Sequence, residues 1–299
     1  MTEWQTDNRR GLSIGFSLMA AVVLIDVDLI WLATTRPLGS GTFIIGLAVL
    51  LSLILLGLVG YWLYGLARSG YTLDRNALII HWGPTQQIIP TTQIKRALKG
   101  DEVAGHVQFH GVMWPGHWVG YGEVPGMGSA FFYATVPPRE QVYIVTPGLT
   151  YGISPTDPQR FLDSLRQRLQ MGPTQIVEQS SKRPGFLNWP LWRDTMGLAL
   201  LAAGFLAILA LTGLLCFRFP ALSRLVPLHF NVAGTPDRLG PRGQIFFIPF
   251  IGLLALVLNG VLGGLAYRYE RMASYLLWSG AVLTQVLVWI AAVGILGRM

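Results

Sequence analysis

Cysteine and charged residues are both scarce in this 299-residue chain. A single cysteine, Cys216, excludes an intrachain disulfide and any metal site built from several cysteines. Only 12% of the residues are charged, whereas ordinary soluble domains carry roughly 25%. The charges concentrate between Arg68 and Arg193, and long stretches on either side are almost free of them. This distribution is typical of a membrane protein that carries one water-exposed domain.

Five apolar runs are each long enough to cross a bilayer, because a hydrocarbon core of ~30 Å needs ~20 helical residues. They cover residues 12–33, 43–66, 196–217, 245–266 and 274–296. The first run follows two arginines, as a signal peptide would. It is nevertheless too long for a signal core and lacks a convincing cleavage site, so we interpret it as a retained helix.

The distribution of Lys and Arg predicts the orientation of these spans. With the N-terminus inside, 16 of the 22 basic residues fall on the inner side and 6 on the outer side. Cytoplasmic segments of membrane proteins carry such an excess. We therefore expect a multi-pass protein of the inner cell membrane with a cytoplasmic N-terminus and a cytoplasmic soluble domain. The same bias explains the net charge of +7, and we expect no nucleic-acid partner.

Aromatic residues flank the spans on the proposed inner side, where amphipathic rings favour the headgroup region. They are Tyr61, Trp62, Tyr64, Phe186, Trp189, Trp192, Tyr267, Tyr269, Tyr275 and Trp278. The alternative, that some of these rings pack between helices, stays open at this point.

Residues 70–170 have the pattern of a β-rich domain that ends in a helix. Short apolar runs alternate with turn residues, as in an antiparallel barrel or sandwich. Thr156 or Asp157 can then cap a helix that begins at Pro158. The apolar stripe of this helix consists of Phe161, Leu162, Leu165 and Leu169.

The order YTL…LIIHWG…IIP, then GYG…FFYAT…VYIVTP…YGISPTDPQRFLDSL, resembles the bacterial pleckstrin-homology-like (PH-like) domain of membrane proteins. The stretch GISPTDPQRFLDSL is its most specific part. The resemblance implies a seven-stranded bent barrel with one helix. Eukaryotic relatives of the fold often bind phosphoinositides, but a fold does not bring its function with it.

The predicted fold class is therefore a multi-domain membrane protein: an α-helical transmembrane bundle of about five helices with an inserted PH-like β-barrel and its C-terminal helix. The expected domains are a two-helix transmembrane hairpin (1–68), a PH-like domain (69–172), a linker with an aromatic anchor (173–195) and a three-helix transmembrane domain (196–299) that contains the loop 218–244.

Two features of the soluble domain are candidates for binding. Lys95, Arg96 and Lys99 could attract anionic headgroups, or they could form a solvated strand face beside two neighbouring acidic residues. The stretch FHGVMWPGHWVGYG (109–122) favours a β-meander whose aromatic side chains fill the barrel, and the alternative is a loop for the membrane interface or a partner. Its histidines have no cysteine nearby, and we expect no metal site.

The loop RLVPLHFNVAGTPDRLGPRGQ resembles the short motif of a bacterial membrane domain of unknown function, which also occurs in the Sdp-type toxin-immunity and signalling family. The residues that fit the motif are Pro227, His229, Asn231, Gly234, Asp237 and Arg242. His229 and Asp237 could approach each other across a glycine turn and outline a proton- or metal-linked site. The alternative is a rigid turn held by local backbone bonds of Asn231 and Asp237.

Two acidic residues, Asp26 and Asp28, lie within the first apolar run. A charge within a membrane span is costly and often functional. Asp26 and Asp28 point ~200° apart on a helix and cannot face one partner. Asp26 is the better candidate for an interior contact, and Asn259 in the fourth run is a candidate hydrogen-bonding partner.

The chain contains no H-E-x-x-H or G-x-S-x-G motif and no convincing carboxylate pair, so we expect neither an enzyme nor a cofactor. The main hypothesis is a scaffold or sensor whose PH-like module docks a protein partner, a membrane lipid or a second copy of the chain. The alternatives are a toxin-immunity or signalling protein that acts through the 227–242 loop, and an accessory subunit of a larger membrane complex.

Overall fold

The computed structural model describes residues 2–186, 188–230 and 236–298, without the side chains of residues 228–230, 236 and 237. The chain divides into two compact units. The first contains Met1–Ile25 and Ser52–Leu187, and the second contains Asp26–Leu51 and Asn188–Met299.

The first unit begins with a short strand, two long helices follow, and a β-rich body comes next. In chain order the elements are β1 (Thr2–Gln5), α1 (Arg9–Thr35), α2 (Ser40–Ala67), β2 (Ser69–Leu73), β3 (Ala77–Trp82), β4 (Thr85–Pro90), β5 (Arg96–Lys99), β6 (Gln108–Trp114), β7 (His117–Val124), β8 (Gly128–Ala134), β9 (Val142–Val145), β10 (Thr150–Ile153), α3 (Pro158–Met171) and β11 (Ser180–Lys182). The half of the α1–α2 hairpin that contains its turn, Asp26–Leu51, belongs to the second unit.

The second unit is helical apart from one hairpin. Its further elements are α4 (Thr195–Arg218), β12 (Leu225–Phe230), β13 (Pro236–Pro241), α5 (Phe247–Ala266) and α6 (Arg271–Leu296). Five helices in the described part of the chain are long and apolar enough to cross a membrane, namely α1, α2, α4, α5 and α6. The five predicted spans are thereby confirmed, and the chain is a multi-pass membrane protein.

The strands of the first unit form two sheets, and both sheets contribute side chains to one main buried cluster. Their orders are β1-β2-β3-β4-β11 and β5-β9-β10-β8-β7-β6, and all neighbours are antiparallel except β8 and β10. Helix α3 begins after Asp157, whose side chain accepts a hydrogen bond from Arg160 N at 3.0 Å. Phe161 and Leu165 of this helix are fully buried in the core. The expected β-rich body with its C-terminal helix is confirmed.

Nine strands, rather than the seven implied by the resemblance, lie between Ser69 and Ile153. The glycine-rich stretch 109–122 folds into β6 and β7, as the β-meander interpretation expected. Gly111 and Gly120 face each other in the register of this hairpin. A methyl group on Gly111 would come within 2.6 Å of the Cα atom of Gly120, so the close approach of the two backbones requires glycine.

Residues outside the predicted PH-like segment complete the first sheet. Strand β1 pairs with β2, and β11 pairs with β4. The Trp4 ring of β1 lies edge-on to the Phe161 ring, with centroids 5.4 Å apart, and Thr156 N donates to the carbonyl of Gln5 at 3.1 Å. The N-terminal segment therefore belongs structurally to the soluble body.

The junction between the helical hairpin and the sheet is closely bonded. Only Arg68 separates the end of α2 from the start of β2. The Asn8 side chain donates to the Leu66 carbonyl at 3.1 Å. The hydroxyls of Thr6 and Ser69 lie 2.6 Å apart. These bonds tie both helices to the β-rich body without a free linker.

In the second unit, side chains of α6 hydrogen-bond to the backbones of its neighbours. Gln285 Nε2 donates to the Gly252 carbonyl at 2.8 Å, and Trp289 Nε1 donates to the Ala207 carbonyl at 2.9 Å. Trp278 is fully buried against glycines of α4 and α5. Such interhelical bonds and close approaches hold helices together in a bilayer. No hydrophobic effect draws one helix to another there, because the lipid tails are as apolar as the helices.

Replacing Gly197 by Ala should destabilise this bundle. The new methyl group would lie 2.7 Å from the six-membered ring of Trp278, and overpacking of this kind costs about 1–3 kcal/mol. Gly280→Ala is the matched control because no heavy atom lies within 4 Å of the added methyl group. Thermal unfolding of the purified chain in detergent should show a lower Tm for Gly197→Ala alone. Equal Tm values for the two variants would contradict the packing described here.

Candidate functional site

A cavity of about 230 Å³ in the first unit, named here the aromatic cavity, is enclosed mainly by rings. Its wall combines the end of α2, the turn between β3 and β4, strands β7 and β8, and a residue next to β11. The lining residues are Tyr61, Trp62, Gly65, Trp82, Pro84, Thr85, His117, Val119, Tyr133 and Arg183. The end of a transmembrane helix thus forms one side of a cavity in the PH-like body.

His117 lines this cavity and carries an acceptor that is unpaired among the described residues. The residue is only 1% exposed. Its Nδ1 atom lies 3.3 Å from the carbonyl of Val112, which assigns the ring proton to Nδ1 and leaves a lone pair on Nε2. Burial lowers the pKa of His117 to about 4, so the ring is neutral near pH 7. Nε2 is buried, and within the described residues it has no hydrogen-bond partner.

Aromatic stacking holds the His117 ring in place. Trp114 stacks on it with a centroid distance of 3.9 Å and an interplanar angle of 11°. Trp82 lies edge-on to it at 5.8 Å. The orientation of the imidazole is therefore determined by two neighbouring rings and by the bond to Val112.

Tyr133 and Arg183 also contribute polar groups to the wall of the cavity. The Tyr133 hydroxyl accepts a hydrogen bond from Gln87 Nε2 at 3.0 Å, and burial raises its pKa, an effect that the charge of Arg183 opposes. Arg183 is exposed. Across the described parts of the chain, no carboxylate lies within ion-pair distance of its guanidinium. The cavity thus has a neutral acceptor inside and a positive charge beside it.

A second, larger cavity of about 640 Å³ lies beside the tip of the β6–β7 hairpin, and we name it the Met113 groove. It is lined by Asp7, Arg10, Met113, Trp114, Pro115, Gly116, Trp118, Thr135, Val136, Pro137 and Glu140. The hairpin tip is fixed to the start of α1, since Trp114 Nε1 donates to the Gly11 carbonyl at 3.1 Å. Met113 itself is 60% exposed.

The basic residues predicted to bind headgroups do not converge on one face. Arg96 and Lys99 both lie in β5, and their spacing of three places their side chains on opposite faces of the strand. Lys95 directly precedes the strand and donates its backbone N–H to the carbonyl of Val145 at 2.9 Å. Lipid binding by this group stays a prediction that the geometry does not favour.

The motif loop forms the hairpin β12–β13, in which Pro227 pairs with Leu239, and His229 with Arg238. Asn231 and Gly234 lie outside the described residues, as do the side chains of His229 and Asp237. The interaction expected between those two side chains therefore stays a prediction.

Arg242 has a clear structural role at the base of this hairpin. Its guanidinium lies 4.7 Å from the centre of the Phe219 ring and donates to the Leu222 carbonyl at 3.5 Å. Its backbone N–H donates to the Arg224 carbonyl at 3.0 Å. Arg242 thereby ties the hairpin to the end of α4.

Asp26, Asp28 and Asn259, the polar residues selected within the predicted spans, differ in their exposure and in their hydrogen bonds. Asp26 is buried at 6% exposure, whereas Asp28 is exposed. The amide of Asn259 donates to the carbonyl of Ala255 in the preceding helical turn at 2.8 Å. A pairing of Asp26 with Asn259 stays a prediction.

Asp194, which the sequence analysis did not select, organises the start of α4. It accepts hydrogen bonds from Gly197 N at 3.0 Å, from the Tyr267 hydroxyl at 2.7 Å and from the Tyr275 hydroxyl at 2.6 Å. These bonds lower its pKa to about 2, and the bond to Asp194 raises the pKa of Tyr267. The signal in the sequence was an acidic residue directly before an apolar run, the usual position of a helix cap.

The aromatic residues beside the spans therefore divide into two kinds. Tyr267, Tyr275 and Trp278 contact other helices, so for them the packing interpretation is correct. Tyr269 is 90% exposed and Trp192 is 54% exposed, as residues of a headgroup belt would be. Within the described residues, no three His, Cys, Asp or Glu side chains cluster as around a metal ion.

The comparisons with known proteins agree with both resemblances. Residues 69–169 match the family model of a bacterial PH domain. Residues 205–253, from the middle of α4 to the start of α5, match the model of a domain of unknown function, DUF1648. No curated protein matches the chain, and no solved structure matches it. The link to the Sdp-type family stays a prediction.

Replacing Asp194 by Asn should lower the Tm of the purified chain at neutral pH, because the amide nitrogen cannot accept bonds from the tyrosine hydroxyls. The folded-state pKa of about 2 lies below the ordinary 3.8. The ionised carboxylate therefore stabilises the fold above pH ~4, and this contribution is lost as the pH falls toward ~2.

The Tm difference between wild type and Asp194→Asn should consequently shrink between about pH 7 and about pH 3. Asp163→Asn provides the control, since Asp163 forms an exposed ion pair with Arg166 and such pairs contribute little. A difference that stays constant with pH would mean that the charge of Asp194 does not stabilise the fold.

Proposed function

We propose that this multi-pass membrane protein is a non-enzymatic scaffold or sensor whose bacterial PH domain binds a protein partner at the cytoplasmic face of the inner membrane. The observation that supports this proposal best is the Met113 groove, a cavity of about 640 Å³. It lies beside an exposed apolar side chain and is bordered by charged residues of both signs.

The chemistry of the groove suits a peptide segment of a partner. Met113 and Trp118 offer apolar contact, and methionine adapts its shape to different partners. Asp7, Arg10 and Glu140 at the margin can orient charged groups of the partner. Aromatic residues and methionine at the centre with charged residues at the rim are typical of protein interfaces.

The position of the groove supports a role in signal transfer or anchoring. Arg10 belongs to the first turns of α1, and Trp114 bonds to the Gly11 backbone. A partner in the groove would therefore contact the start of a transmembrane helix directly. No flexible linker separates the groove from α1, so a displacement at the groove would also displace this transmembrane helix.

The charge bias of the spans supports a cytoplasmic location for this domain. Strand β1 precedes α1 and pairs with β2, which follows α2, so the N-terminus and the PH domain lie on the same side of the membrane. The positive-inside rule favours the cytoplasm for that side.

Cysteine labelling tests the orientation. In a Cys216→Ala background, Gly148→Cys places a thiol on an exposed loop with no heavy atom within 4 Å of the new Cβ atom. Leu38→Cys places one at a 48% exposed position between α1 and α2. A membrane-impermeant maleimide should label Leu38→Cys in intact cells, and it should label Gly148→Cys only after permeabilisation. The reverse pattern would place the PH domain outside the cell.

Site-specific crosslinking tests the groove. A photoreactive amino acid at Met113 should yield a discrete crosslinked product in native membranes, and Trp118→Ala should abolish it. The same group at Tyr121 is the control, because Tyr121 is 62% exposed on the same hairpin but does not line the groove. Identical products from both positions, or none from Met113, would contradict partner binding there. A product of twice the chain mass would identify a second copy as the partner.

A further inference from the structure

We infer that the aromatic cavity holds the headgroup of an anionic, hydroxyl-bearing phospholipid of the phosphatidylglycerol class, with a headgroup hydroxyl donating to His117 Nε2 and the phosphate beside Arg183. This cavity is separate from the Met113 groove. The inference therefore does not depend on the proposed protein partner.

The first step is the need for a donor. His117 Nε2 is a buried acceptor with no partner among the described residues, and a buried polar group without a hydrogen bond is costly. The ring cannot turn to find one, because Nδ1 bonds to Val112 and Trp114 stacks on its face. A ligand that fits the cavity must therefore bring an O–H or N–H group.

The second step is the charge of the ligand. Arg183 lies at the cavity without an ion-pair partner among the described residues, and a guanidinium suits phosphate oxygens. The lining contains no carboxylate, so an ammonium group in the cavity would lack a counter-charge. These features favour a phosphate with a neutral hydroxyl over a zwitterionic ethanolamine headgroup.

The third step is size and surface. A volume of about 230 Å³ is below the ~300 Å³ at which pockets for drug-sized ligands begin, so a headgroup fits and a whole lipid does not. Tyr61, Trp62 and Trp82 present apolar ring surface. The carbon atoms of a glycerol unit can lie against these rings while its hydroxyls face His117.

The fourth step is position. The cavity is lined by Tyr61, Trp62 and Gly65 of α2, which ends at Ala67. Tyr61 lies six residues before that end, a distance of ~9 Å along the axis. The end of a membrane span lies in the headgroup region of the bilayer, so phospholipid headgroups surround the cavity at that depth. A soluble glycerol phosphate ester would offer the same groups, and the experiment distinguishes the two sources.

The test uses the purified full chain and native mass spectrometry of bound lipid. Phosphatidylglycerol, phosphatidylethanolamine and phosphatidylcholine with identical acyl chains are offered at equal concentrations. Phosphatidylglycerol should bind best, because choline offers no donor and ethanolamine brings an uncompensated charge. His117→Phe keeps the ring stacked on Trp114 but removes the acceptor, and it should weaken phosphatidylglycerol binding about tenfold.

Arg183→Gln should weaken binding by a similar factor. Arg183 lies at an exposed position, so we expect Arg183→Gln to fold. This variant therefore still tests the inference if His117→Phe fails to fold. The matched controls are His110→Phe and Lys182→Gln, since both residues are exposed and neither lines the cavity. Both should bind like wild type.

Three results would overturn the inference. The first is equal retention of phosphatidylglycerol and phosphatidylcholine. The second is wild-type binding by both His117→Phe and Arg183→Gln, which would mean that the lipid binds elsewhere on the chain. The third is equal binding of phosphatidylethanolamine, which would exclude the hydroxyl assignment. Free glycerol 3-phosphate offered to the chain in phosphatidylcholine nanodiscs completes the test, and binding there that His117→Phe abolishes would replace the lipid by a soluble ester.

Discussion

Inside the hydrocarbon core of a bilayer no water can bond to an exposed amide or carbonyl, and every backbone polar group must find its partner within the protein. The five long helices meet this requirement for the backbone. Two side chains of the second unit donate across helices in the same way, Gln285 Nε2 to the Gly252 carbonyl and Trp289 Nε1 to the Ala207 carbonyl. Glycines at these contacts let the rings and amides reach the backbone of a neighbouring helix.

The need to pair polar groups is also visible in the first unit, at the junction between the two helices and the first sheet. Helix α2 is followed after one residue by β2, and the bonds from Asn8 to Leu66 and between Thr6 and Ser69 close the junction. Without β1 and β11, the outer edges of β2 and β4 would present unpaired backbone groups. The soluble body is therefore larger than the segment 69–169 that matches a bacterial PH domain.

The two cavities of the first unit show how one hairpin serves two surfaces. Residues of β7 line both of them, and Trp114 of β6, which stacks on His117 of the aromatic cavity, lines the Met113 groove. Neither cavity follows from the fold as such, because a fold supplies a scaffold on which sites are built by individual residues. The aromatic cavity depends on a buried histidine, and the Met113 groove depends on the contact between the hairpin tip and the start of α1.

The sequence by itself determined the five spans, the β-rich body, and the helix α3 with its start at Pro158, and it left the cap open between Thr156 and Asp157, of which the structure shows Asp157. These features are local, because hydropathy over ~20 residues and the cap and period of one helix lie within a short window. Only the tertiary structure decided that β1 and β11 join the sheet, that His117 is buried without a partner for Nε2 among the described residues, and that Asp194 accepts hydrogen bonds from Tyr267 and Tyr275. Each of these depends on contacts between segments far apart in the chain, and short polar stretches such as residues 2–5 and 180–182 carry no period that shows their partner.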